Sequence, residues 1–149
     1  MMFSKITATG LCAALAFGSL SAHALEITDF NSLTEKKIKQ SYYFDWNRNG
    51  TFRTALFKAF KASNVPVPEW MRQGSGPASP GKLINRGATH YVLLDTCKAR
   101  ECGDNIAFVL FDPATKSLAS VAKIDKKTVW VGNPNTTVKQ ILSNASGLR

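Results

Sequence analysis

Histidine is almost missing from this chain: two occur in 149 residues, His23 and His90. Cysteine is nearly as scarce, at Cys12, Cys97 and Cys102. So few ligands exclude a closed zinc site, which needs about four N, S or O donors in tetrahedral array. Acidic residues are also few, with 10 Asp and Glu against 19 Lys and Arg and a formal charge of +9. After Leu20 no apolar run reaches the roughly 20 residues that a membrane-spanning helix requires. No glycine-rich loop opens a helix either. Gly74-Ser75-Gly76 runs into Pro77, which blocks the helix that a phosphate-cradling loop must feed. Basic residues are not interleaved with aromatics as a stacking platform for single strands demands, so nucleic acid is not an expected partner. Nothing in the chain calls for a metal or another cofactor.

The N-terminus supplies a compartment. One positive charge falls within Met1 to Lys5, an apolar run follows from Ile6 to Leu20, and Ser21-Ala22-His23-Ala24 has the small-x-small pattern that signal peptidase reads. The expectation is a signal peptide over residues 1–24 and a mature domain over residues 25–149. Cys12 is then discarded, and Cys97 and Cys102 remain in an oxidising compartment where a disulfide is the expected state. The leader removes one lysine, leaving 18 basic against 10 acidic side chains, a net charge of +8. A basic exported protein gains solubility from that charge, and it is drawn to anionic lipopolysaccharide, phospholipid or glycan.

The remaining length suits one domain with its own core. Thr34 to Gln40 reads as a short polar helix capped by Ser32 or Thr34. Asn47 to Gly50 reads as a turn. Thr51 to Ala62 is amphipathic, with Phe52, Ala55, Leu56, Ala59 and Phe60 on one face and Arg53, Lys58 and Lys61 away from it. Val65-Pro66-Val67-Pro68 cannot continue that helix, and Gln73 to Gly81 reads as a loop. Thr89 to Thr96 is strand-like. Ile106 to Phe111 is uniformly apolar, as a strand buried on both faces would be, and it is expected to lie at the sheet centre against Phe52, Leu56 and Phe60. Phe108 or Leu110 is expected to point at that helix. Leu118 to Ile124 and Thr128 to Val131 add strands beyond the Asp112 to Lys116 turn. A closing helix runs from Thr136 to Ala145, capped by Asn135 or Thr136, with Val138, Ile141, Leu142 and Ala145 inward. The fold class is therefore α+β: an antiparallel sheet meander flanked by helices in a single domain.

In that frame Cys97-Lys98-Ala99-Arg100-Glu101-Cys102 sits at a hairpin tip. A ring this small stabilises a fold by only about 2 kcal/mol. Its use is to hold one loop in one shape, which leaves little ordering entropy to lose on binding. A catalytic centre is hard to assemble from what else is present. His90 stands alone on a strand, oxidised thiols are not nucleophiles, and Glu101 and Asp104 read as solvated loop charges. An enzyme is not expected.

The run Cys97-Lys98-Ala99-Arg100-Glu101-Cys102-Gly103, followed by Asn105-Ile106-Ala107-Phe108-Val109, resembles the signature of the Ivy family, the inhibitors of vertebrate lysozyme. There the loop reads Cys-Lys-Pro-His-Asp-Cys before a Gly and an Ile-Ala-Val strand. Val67-Pro68-Glu69-Trp70 is similar to the family's Pro-x-Trp segment, and the likeness covers roughly Val65 to Ala145. The resemblance implies a periplasmic, often homodimeric α+β protein whose disulfide loop enters the active-site cleft of a c-type lysozyme. Arg100 stands where the family has its inhibitory histidine and Ala99 replaces its proline, while Lys98 and Glu101 keep the lysine and the acid. The leading expectation is a protein inhibitor of lysozyme or of a lytic transglycosylase, with Cys97, Lys98, Ala99, Arg100, Glu101 and Cys102 as the target-binding loop. Two readings stand beside it: a periplasmic module of the same fold that recognises an anionic envelope component or protein, and a hydrolase built on His90.

Overall fold

The computed structural model describes residues 25–149, so the expected signal peptide lies outside the described residues. Five strands form one antiparallel sheet in the order β1-β2-β3-β4-β5. They are β1 (Lys82–Arg86), β2 (Thr89–Cys97), β3 (Ile106–Asp112), β4 (Ser117–Ile124) and β5 (Lys127–Val131). Ahead of them come α1 (Glu35–Lys39), α2 (Tyr43–Asn47), α3 (Gly50–Ala62) and α4 (Glu69–Gln73), and α5 (Thr136–Ser146) closes the chain. The expected α+β meander is the fold.

Caps set the helix starts. Thr34 accepts from the Lys37 amide in α1, Asn49 from the Phe52 amide in α3, and Asn135 from the Val138 amide in α5, each satisfying an N–H left over by the first turn. Four short elements escape the sequence reading: the 3-10 turn Phe30–Ser32, of 3 residues, and α2, α4 and β1, each of 5 residues. Elements this short carry little period of their own; α1, also of 5 residues, is legible because Thr34 marks its start.

The uniform hydrophobicity of β3 is explained by helices on both sides. Ala107, Val109 and Phe111 point into the cluster made by α1 to α4, with Tyr43, Trp46, Phe52, Leu56 and Phe60. Leu110 and the half-buried Phe108 point the other way, toward Ile141 and Leu142 of α5. Phe108 and Leu110 therefore face α5, not α3; alternation along the strand gives the α3 face to their odd-numbered neighbours. Ala145 is exposed rather than inward, while Val138 is half-buried.

Phe111 is the hub of the larger cluster. Its ring meets Phe30 at 5.4 Å, Phe52 at 5.3 Å and Trp46 at 5.9 Å, all edge-on, the arrangement that aromatic quadrupoles favour. Tyr43, wholly buried beneath, donates its hydroxyl to the Met71 carbonyl at 2.9 Å and so ties α2 to α4. Burial pushes this phenol well above its ordinary range, with the Arg53 charge a smaller opposing influence. An unfolded tyrosine ionises near pH ~10. Above that pH the unfolded chain sheds a proton the folded chain keeps, so the stability Tyr43 contributes is present below pH ~10 and lost as pH rises. The ultraviolet signal of Tyr43 ionisation should arrive together with alkaline unfolding, and this step should be missing in Tyr43→Phe. A step well below the unfolding transition would place the phenol in solvent.

Candidate functional site

The Cys97 and Cys102 sulfurs are bonded at 2.02 Å, with Cα atoms 5.0 Å apart. Cys97 is the last residue of β2, so one end of the ring is part of the sheet. The remainder, residues 98–105, projects past the start of β3 and is built from nested turns. Lys98 N–H donates to the Asn105 carbonyl at 3.0 Å, closing the base of the loop. Glu101 N–H donates to the Lys98 carbonyl at 2.9 Å, which makes Lys98 to Glu101 a four-residue turn. Arg100 holds the third place of that turn with φ of 68°. Type II geometry requires a positive φ there and favours proline one place earlier. Ala99 occupies the proline-favouring position, and the exposed Arg100 takes a backbone shape that glycine or asparagine adopts more readily. The ring holds the guanidinium outward at the crown.

Charge within the ring is largely self-neutralised. Lys98 Nζ lies 2.7 Å from Glu101 Oε2, and the hydrogen bond to that carboxylate, then its charge, hold the Lys98 ammonium above its ordinary range. The pair is exposed, so its effect is on orientation more than on stability. Glu101 Oε2 also accepts from the Asn105 side-chain Nδ2 at 3.2 Å. Of the ring's two cations, Arg100 is the one without an ion partner among the described residues.

Two supports underlie the loop. On one side the chain before β1 runs along β2, and Cys97 N–H donates to the Pro77 carbonyl at 3.1 Å. Contact is so close at Gly76 that a Cβ there would overlap the Cys97 carbonyl oxygen, so only glycine fits. On the other side the buried Asn105 accepts the Asp125 amide at 2.9 Å, and Lys126 N–H donates to the Asp104 carbonyl at 3.0 Å. The β4–β5 turn thus leans on the cysteine loop. The sequence names Gly76 and Asn105 but does not foretell their contacts, nor those of that turn, with the loop. Each is a tertiary contact, and neither composition nor spacing signals it.

His90 is exposed on β2, with Nδ1 2.6 Å from Asn85 Oδ1 on β1. It pairs at the end of the β1–β2 ladder far from Cys97, so the fold does not bring it to the loop.

One end of the sheet, between the interior strands β2 and β3, displays a cross-linked, cation-tipped loop, which defines a loop-presenting domain. The family described as Inhibitor of vertebrate lysozyme (Ivy) matches residues 51–146, and the chain belongs to this family. The protein named Inhibitor of vertebrate lysozyme from Pseudomonas aeruginosa is 31% identical over 102 residues, covering 59% of this chain and 67% of the relative. An uncharacterised protein of Yersinia pestis is 28% identical over 90 residues, covering 52% of this chain and 58% of its own length.

Proposed function

We propose that this protein is a periplasmic inhibitor of lysozyme or of a related muramidase such as a lytic transglycosylase, and that residues 97–102 plug the target's active-site cleft. The observation that carries this reading is Arg100, an unpaired cation held outward at the crown of a disulfide ring in a chain of the lysozyme-inhibitor family. Lysozyme works with a pair of carboxylates flanking the scissile bond. A guanidinium, always charged and forked, meets carboxylates with paired hydrogen bonds that an ammonium cannot match. The ring keeps the loop from collapsing on itself, so little conformational freedom is lost on entry. Inhibition needs no chemistry from the inhibitor; occupying the cleft excludes the glycan.

The deciding experiment is a cell-wall turbidity assay with a c-type lysozyme and a lytic transglycosylase, each with added mature, oxidised protein. Dose-dependent loss of lysis in either supports the reading. The net charge of +8 expected for residues 25–149 favours a second reading, a module that binds an anionic envelope component. Full lysis in both assays, with salt-sensitive retention on anionic envelope material, would put that second reading first.

A further inference from the structure

The β4–β5 connection is the second projecting element at the cysteine end of the sheet. Ile124 pairs with Lys127, so Asp125 and Lys126 form a two-residue hairpin loop, with φ of 47° and 71°. Positive φ at both places is the type I′ pattern, whose second position is ordinarily glycine. Lysine therefore sits where the fold alone favours glycine. Its side chain is exposed, and among the described residues its ammonium has no ion partner. Backbone strain does not by itself mark a function. Lys116 has φ of 57° in the β3–β4 turn at the opposite end of the sheet. What separates Lys126 is its attachment, because its own amide is bonded to Asp104 of the cysteine loop and the Asp125 amide to Asn105. Lys123 adds a third tie, its Nζ reaching the Gly103 carbonyl at 3.1 Å. Hydrogen bonds join the two tips, which present Arg100 and Lys126 as cations without an ion partner among the described residues; the neighbouring Lys127 is exposed and unpaired as well.

We propose that the Asp125–Lys126 turn is a second contact element of the inhibitory interface. Lys126 would meet an acidic or carbonyl-lined wall beside the cleft that receives Arg100. This rests on the muramidase-plug reading and deepens it, because one projecting loop fixes depth while a second fixed point also sets rotation about the loop. A target with an acidic wall at that place is then preferred over one with a basic wall, so Lys126 acts as a selector among muramidases.

The test uses the mature, oxidised protein, with binding titrations against the muramidase it inhibits. Lys126→Gly gives the turn its preferred Asp-Gly sequence, so the melting temperature should hold or rise, which removes misfolding as an explanation. Affinity should fall by about 3- to 10-fold at low salt, mainly through the on-rate, and the deficit should shrink as salt is added. Lys116→Gly makes the same chemical change in a strained turn at the far end and should leave affinity unchanged. Equal affinity for the Lys126→Gly and unaltered proteins overturns the proposal, as does an equal loss from Lys116→Gly. If Arg100→Ala abolishes binding while Lys126→Gly does not alter it, this inference alone falls. If the unaltered protein binds neither lysozyme nor transglycosylase, both readings fall together.

Discussion

Arg100→Ala should weaken inhibition by about 30- to several-thousand-fold, the effect of withdrawing a desolvated cation that faces carboxylates, worth roughly 2–5 kcal/mol. The fold should be untouched, because the side chain is exposed and the ring is closed by Cys97 and Cys102. Arg100→Gly makes the result sharper. Glycine suits the φ of 68° better than arginine does, so this variant should be at least as stable and just as poor an inhibitor. Arg100→His restores the residue of the family pattern and should retain inhibition of c-type lysozymes. Ala99→Pro should help rather than harm, since it fixes the turn position that type II geometry offers to proline. Lys98→Ala should matter less, because Lys98 already pairs with Glu101. Inhibition constants for this series decide the question: an unchanged constant in Arg100→Ala and Arg100→Gly means that the loop is not the plug.

Phe111→Ala is expected to destabilise the fold by about 3–5 kcal/mol. Three aromatic rings lose their common partner, and α2, α3 and the segment at Phe30 close on the same point of the sheet. The cavity would lie between stiff elements that cannot collapse to fill it. Phe108→Ala removes the same atoms from the other face of the same strand, where the ring is half-buried against α5. It should cost distinctly less. Chemical denaturation of both variants measures the difference. A larger loss from Phe108→Ala would reverse the assignment of the two faces.

The contrast between these two phenylalanines marks where sequence reading stops. The run Ile106 to Phe111 is apolar at every place, which identifies a strand covered on both faces but does not say which helix covers which face. Parity along the strand is fixed only when the register is, and register is a tertiary quantity. The long amphipathic helix and the closing helix were legible for the opposite reason. Each spans three turns or more and repeats its apolar positions often enough to fix both its type and its inner face. The expected inner face fails at Ala145, which is exposed, whereas Leu148 beyond it packs on the sheet cluster.

The candidate site divides in the same way. That Cys97 and Cys102 pair, that they cap a hairpin and that Arg100 lies between them followed from the order of residues alone, because all of these are local in the chain. The sequence also determined the fold class, since periodicity and turn residues act within a few positions of one another. Only the tertiary structure decided what holds the loop and what stands beside it. Gly76 lies against Cys97, Asn105 caps the Asp125 amide, and Lys126 reaches Asp104 from another hairpin. Those partners are about 20 positions apart in the chain, and they meet because a sheet brings the connections at one end of its strands side by side. A hydrogen bond across such a gap leaves no mark on composition or spacing. The physical reason is that local sequence sets the conformation of a segment, whereas the choice of neighbours is made by the packing of the whole core.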